Sequence, residues 1–154
     1  MYIGDDFGVI TVVDVKRQER VKQIAAHRRS LRDLQISADG KRLVSASVDH
    51  FAIVWAIPDW RPITRFKHND AVLSTSLHPD GNLLATGSAD GYMRVWDLST
   101  EKLRFSFRDI ASVSSVTFSP TGDVLASGSA LNCVYLWDVR DFISHTVLPF
   151  KRAD

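Results

Sequence analysis

The strongest constraint in this sequence is a period. Trp55, Trp96 and Trp137 stand 41 residues apart, and Gly40, Gly81 and Gly122 keep the same interval, as do Leu31, Val72 and Val113. The text around these anchors repeats in register: ISADGKRLVSASVDHFAIVWAI, LHPDGNLLATGSADGYMRVWDL and FSPTGDVLASGSALNCVYLWDV. A unit of this size that recurs at fixed spacing is a supersecondary element stacking on copies of itself, because one copy cannot bury its own apolar face.

Each unit reads as four short strands. Apolar residues at Leu31, Leu34 and Ile36 open one copy, matched by Val72 and Leu77 and by Val113, Val116 and Phe118. A turn follows at Asp39-Gly40, Asp80-Gly81 or Thr121-Gly122, where glycine accepts a positive φ without steric cost. The second strand is small and apolar (LVSAS, LLATGS, VLASGS), and the third, FAIVW, YMRVW or VYLW, is rich in β-formers. A fourth is expected near 63–66, 103–107 and 146–150. No stretch of ten or more residues keeps a helical period, so the expected class is all-β.

A period near 41, four strands per unit and a closing Trp-Asp resemble the WD-repeat β-propeller family across almost the whole chain. The resemblance implies a buried quartet in each repeat: a His before the first strand, a Ser or Thr in the second, an Asp in the turn before the third, and the Trp. By position these are His27, Ser45, Asp49 and Trp55, then His68, Thr86, Asp90 and Trp96, with identical spacing in both copies. In the third copy Asp109 replaces the His and Leu131 the Asp, leaving Ser127 and Trp137, so the turn near Leu131 is expected to be looser unless another group compensates. Ala56 stands where Asp follows Trp in the other copies.

The expected architecture is a partial β-propeller of three four-stranded blades plus the outer half of a preceding blade. Residues 1–26 would supply the two outer strands of an incomplete blade, since Gly4 to Val15 align with Gly87 to Leu98 and Val13 takes the Trp position. Full repeats would occupy 27–67, 68–108 and 109–150, with a tail at 151–154. Closing a ring is how propellers remove sheet edges. The missing blades are therefore expected from the rest of a longer parent chain, or from another subunit.

Little points to chemistry. The spacing of His27 and His68 to Ser/Thr and Asp is that of the quartet, and no G-x-S-x-G elbow accompanies it. The glycines of ATGSADG and ASGSALN precede no helix that could present its N-terminus to phosphate. One cysteine, Cys133, and scattered histidines offer no metal-ligand spacing. No catalytic residue, metal or cofactor is expected. Net charge is +1 and no apolar run approaches a membrane span. With a single thiol and no signal-peptide pattern, an intracellular protein, cytoplasmic or nuclear, is expected.

The expected function is a non-catalytic scaffold that binds other proteins or peptides. Candidate contacts are loop positions beside the quartets: Arg28, Arg29, Ser30, His50, Lys67, Asn69, Asp70, Arg108, Ile110 and Asn132. Two alternatives stay open. The segment 16–32 carries Lys16, Arg17, Arg20, Lys22, Arg28, Arg29 and Arg32 against one acid, Glu19, and could serve RNA or chromatin, although a solvated outer strand and loop is the favoured account of it, Arg28 and Arg29 excepted. Trp137, Asp138 and Arg140 read W-D-x-R, which in some members of the family marks substrate receptors of cullin-based ubiquitin ligases.

Overall fold

A computed structural model describes residues 1–140. Among them, fourteen strands form four antiparallel sheets. The first contains β1 (Tyr2–Gly4), β2 (Val9–Asp14) and β3 (Glu19–Ala25). The second is a sequential four-stranded sheet of β4 (Leu31–Ile36), β5 (Arg42–Ser47), β6 (Phe51–Ala56) and β7 (Pro62–Lys67). The third repeats it with β8 (Val72–Leu77), β9 (Leu83–Ser88), β10 (Tyr92–Asp97) and β11 (Lys102–Arg108). The fourth has β12 (Val113–Phe118), β13 (Val124–Ser129) and β14 (Val134–Asp138). The strand expected at 146–150 and the tail at 151–154 lie outside the described residues.

One expectation needs correcting. The leading blade holds three strands rather than two, because β1 pairs with β2 through Tyr2↔Val12, Ile3↔Thr11 and Gly4↔Ile10. The alignment itself contains the reason: Gly4 matches Gly87, which lies inside the second strand of its blade and not in the turn after it. Three residues are enough to extend a ladder whose next strand is already ordered.

A bulge recurs at the tryptophan position. The pairing of third and fourth strands slips between Val12 and Val13, between Val54 and Trp55, and between Val95 and Trp96. Each slip leaves one fourth-strand residue out of the register, Val21, Ile63 or Arg104, and all three are exposed. The bulge increases the local twist that lets one sheet stack obliquely on the next.

Sheets join face to face, with the first strand of one blade lying against the first two strands of the blade before it. β8 packs on β4 and β5, and β12 on β8 and β9. Side chains stitch these faces to backbone. Asp33 Oδ2 accepts the Thr75 N–H at 2.7 Å and Gln35 Oε1 accepts that of Leu77 at 2.6 Å. At the next joint Ser74 Oγ accepts from Val116 at 3.2 Å and Ser76 Oγ from Phe118 at 2.9 Å. The turns are tied as well: Arg42 Nη1 donates to the Gly81 carbonyl at 2.7 Å, and His78 Nε2 to that of Gly122 at 3.1 Å.

Between these stitches lie three apolar clusters. Val44, Ala46, Ala52, Val54 and Phe66 meet Val72, Leu77 and Leu84. Ala85, Met93 and Val95 meet Val113, Val116, Phe118 and Leu125. The leading joint is built from Ile10, Ala26, Leu43, Ile53 and Trp55. Approach at the second joint is so close that a Cβ on Gly87 would stand 2.9 Å from the Val113 carbonyl oxygen. On the uncovered side of the last blade, a Cβ on the equivalent Gly128 would meet only Ser115 Cβ, at 3.8 Å.

That contrast yields a test. Gly87→Ala is expected to lose about 1–3 kcal/mol through overpacking against a rigid backbone. In the same chain Gly128→Ala should change stability by less than about 0.5 kcal/mol, the usual range away from packed contacts. Urea unfolding midpoints of the two variants measure the difference, and equal losses would contradict the packing described.

Candidate functional site

The first quartet is continuous. His27 Nδ1 meets both oxygens of Asp49 at 3.0 Å, and its Nε2 lies 2.7 Å from Ser45 Oγ. Trp55 Nε1 donates to the same hydroxyl at 2.9 Å. A carboxylate only accepts, so Nδ1 carries the proton, the serine O–H donates to Nε2, and the indole N–H donates to the serine. Asp49 also receives the N–H groups of Arg28 and Phe51, at 3.0 and 3.1 Å. The carboxylate thereby clamps the loop entering the blade to the turn before β6.

The second quartet departs from expectation at one link. Thr86 Oγ1 is 2.9 Å from His68 Nε2 and accepts from Trp96 Nε1 at 3.0 Å. Asp90, however, is not bonded to His68. Arg94 takes it, with Nη1 at 3.1 Å and Nη2 at 2.9 Å, and His68 Nδ1 donates instead to the Phe66 carbonyl at 3.2 Å. The cause is a competing cation. Arg94 sits on β10 where β6 has Ile53, and a guanidinium outbids a neutral imidazole for a half-enclosed carboxylate.

In the third blade Trp137 Nε1 donates to Ser127 Oγ at 3.0 Å. Asp109, in the His position, turns inward on its own loop and accepts from Ile110 and Ala111 at 2.6 and 3.4 Å. The turn around Leu131 is closed without an aspartate. Ser129 N–H donates to the Cys133 carbonyl at 2.9 Å, Asn132 N–H to Ser129 at 3.2 Å, and Asn132 takes a φ of 58°.

Burial dominates the electrostatics of both histidines. Desolvation pulls His27 below its ordinary value despite the attraction of Asp49. Desolvation and then the positive charge of Arg94 pull His68 down to about 4. Burial alone would raise Asp49 and Asp90, but hydrogen bonds win. Those from Arg28, His27 and Phe51 lower Asp49, and those from Arg94, Asn69 and Tyr92 lower Asp90. At neutral pH the first two full blades thus each hold a neutral imidazole and an ionised carboxylate, fixed in place by hydrogen bonds.

The antiparallel order places every loop between successive blades, and every turn between second and third strands, at one end of the sheets. Backbone bonds knit that end: Val48 N–H to Ser30 O at 3.0 Å, Ala89 to Ala71 at 2.8 Å, and Ala130 to Ser112 at 3.0 Å. The ten candidate contact residues all fall there. Arg28, Arg29, Lys67, Asn69, Asp70, Arg108, Ile110 and Asn132 are exposed, whereas Ser30 and His50 are half-buried. Ser30 is occupied structurally, its hydroxyl donating to Asp6 at 2.7 Å. His50 has a φ of 76° and its carbonyl accepts the His68 N–H. Arg108 lies 5.8 Å from the Tyr92 ring.

Three exposed apolar residues stand at this end, Ile110 at 91%, Phe7 at 85% and Leu131 at 53%. Phe7 had not stood out in the sequence. Its signal was present, an aromatic residue placed by the repeat alignment in a turn between second and third strands, where nothing can cover it.

The other candidates lie elsewhere. Asp138 and Arg140 follow Trp137 at the opposite end of the sheet, and the Arg140 guanidinium folds back onto Asp138 with Nε at 2.9 Å. Aspartate after tryptophan organises the following turn, as Asp97 does by accepting from Ser99 and Thr100. The hydrogen bond from the Ser99 hydroxyl, with those of the backbone and Arg104, holds Asp97 far below the carboxylate range. The basic segment divides: Lys16 to Lys22 belong to the outer strand β3 and its turn, while Arg28 and Arg29 stand at the loop end. Among the described residues no group of three His, Cys, Asp or Glu could hold a metal ion, and no helix is long and apolar enough to cross a membrane.

Comparison with known proteins agrees with this geometry. The model of the WD40 family (WD domain, G-beta repeat) matches residues 18–56, 60–97 and 102–138. Human WD repeat-containing protein 36 is 34% identical over 73 residues, which cover 47% of this chain and 8% of that protein. The match thus spans only a small part of the relative's length.

The depressed histidines predict a pH dependence. The unfolded chain binds a proton near pH 6.5 at position 68 that the folded chain refuses until about pH 4. Stability is therefore flat above pH 6.5 and falls as pH drops through that window, by on the order of 3 kcal/mol for this site. His27 acts in the same direction. Urea midpoints between pH 4 and 8 should show the fall, and His68→Gln should remove most of it. An unchanged slope in that variant would contradict the assignment.

Proposed function

The chain belongs to the WD40-repeat family, and on that footing we propose that it is a non-catalytic protein–protein interaction scaffold forming part of a larger propeller. The observation that carries the scaffold reading is the loop end. Exposed Phe7 and Ile110 stand there among Arg29, Lys67, Asp70 and Arg108, on turns locked to one another by backbone hydrogen bonds. Rigid turns that hold solvent-exposed aromatic, aliphatic and charged groups suit the docking of a partner protein, since little backbone entropy remains to be lost in the loops.

The larger-propeller reading is supported by the side of the last blade. Val134 and Leu136 are 69% and 53% exposed, whereas their counterparts Met93 and Val95 are fully buried by the following blade. Ser115 and Thr117 occupy the stitching positions of Ser74 and Ser76, yet face solvent. Gly128 keeps the space that Gly87 needs for a neighbouring strand. Covering this face would gain about 1.5–3 kcal/mol for each large apolar side chain. A first strand of a further blade fits all of these features, whether it comes from a longer parent chain or another subunit.

Affinity purification with quantitative mass spectrometry tests the scaffold reading. Arg29→Ala/Ile110→Asp, a folded variant changed only at the loop end, should lose most copurifying proteins, and retention of the same set would sink the proposal. A photo-crosslinking residue at Val134 should couple to another WD repeat. Absence of any such product in the native assembly would refute the larger-propeller reading.

A further inference from the structure

The joint between the leading blade and the first complete blade lacks two large side chains found at the later joints. Arg94 on β10 lies 4.6 Å from the centre of the Tyr92 ring, and Tyr135, at the same position on β14, packs 5.1 Å from the Phe107 ring. The counterpart on β6 is Ile53. On the outer strands, Phe66 stacks on Trp96 of the next blade and Phe107 packs against Trp137, both with ring centres 4.6 Å apart. Pairing register identifies the β3 counterpart of these rings. Phe66 faces Ala52, Phe107 faces Met93, and Ile24 faces Ile10. An extra residue, Ala26, then widens the connection, so that Ala26 and His27 both donate to the Gly8 carbonyl.

A cavity of about 510 Å³ opens here beside the first quartet. Phe51, Ile53 and Ala26 wall it, Asp49 lies on one side, and the exposed Arg28 and Arg65 stand at its mouth. The Asp49 carboxylate already accepts from His27 Nδ1 and from the N–H groups of Arg28 and Phe51, so it offers little to an incoming cation. Two guanidinium groups against that one satisfied carboxylate make the mouth attractive to anions.

We propose that this cavity binds the aromatic ring of a partner peptide, phenylalanine or tyrosine, carrying carboxylates on either side of it. The inference rests on the scaffold reading above and names the chemistry of one partner. A ring entering between Phe51 and Ile53 replaces what Tyr135 and Phe107 supply from within in the last blade. It covers the part of Phe51 that water still reaches, over a floor of buried Ile53 and Ala26, with few rotors to freeze. Flanking Asp or Glu residues would meet Arg28 and Arg65, giving orientation and a salt-sensitive on-rate.

Fluorescence anisotropy with a fluorescein-labelled Gly-Glu-Glu-Tyr-Glu-Glu-Gly peptide and the full chain provides the test. Replacing the peptide tyrosine with alanine should weaken binding at least tenfold. Ile53→Tyr, which copies Tyr135 and fills the cavity, should do the same, whereas Ile53→Val should bind like wild type. Arg65→Ala should weaken binding severalfold and flatten its salt dependence. Equal affinity for the alanine peptide, undiminished binding by folded Ile53→Tyr, or preference for an arginine-centred peptide would overturn the proposal. If Ile53→Tyr does not fold, the alanine peptide and Arg65→Ala decide. Loss of the peptide interaction alone, with loop-dependent partners still copurifying, would remove this inference and leave the scaffold reading intact.

Discussion

One buried hydroxyl in each full repeat holds the structure to its pattern. Ser45, Thr86 and Ser127 each accept an indole N–H, from Trp55, Trp96 and Trp137 respectively. The bond joins second strand to third at the most enclosed point of the sheet, where an unpaired indole N–H would cost roughly 1–3 kcal/mol. In the first two repeats the same hydroxyl also engages a histidine in the loop arriving from the previous blade. The interior of a blade is in this way connected to the loops on its surface. Such a connection keeps exposed loops in one conformation, and a surface that binds by presented side chains depends on that.

Neighbouring blades are interlocked rather than merely pressed together. Apolar faces give the gross attraction, while Asp33, Gln35, Ser74 and Ser76 set the register by bonding to the first strand of the next blade. A side chain that satisfies a backbone N–H fixes position along the strand, which nondirectional burial cannot. The asymmetry of the joint then governs the outermost faces. The last blade carries acceptors and a glycine gap suited to a following strand, and these are the same features that its predecessors have already used.

Much of this was legible from spacing alone, because the 41-residue period aligns residues in equivalent environments. The four-strand unit follows from that alignment, whereas the tryptophan–hydroxyl pairs and the loop candidates were expected from the resemblance to the WD-repeat family. What spacing does not record is competition. His68 and Asp90 stand at the same interval as His27 and Asp49, yet Arg94 on the following strand takes the carboxylate. Nor does it record volume across a joint. Ile53 and the inserted Ala26 are ordinary residues one at a time, and they line a cavity only where two blades meet. The short strand β1 escaped notice because three residues are too few for alternation to register.

The hydroxyl-centred connection is tested most directly by a double-mutant cycle on Thr86 and Trp96. Thr86→Val keeps the shape of the side chain and leaves both the indole N–H and His68 Nε2 without their partner. Urea unfolding should show a loss of about 2–4 kcal/mol for Thr86→Val, from two buried polar groups. Its coupling to Trp96→Phe should be at least about 1 kcal/mol. A Thr86→Val chain within about 0.5 kcal/mol of wild type, with additive effects in the cycle, would show that packing alone holds the blade.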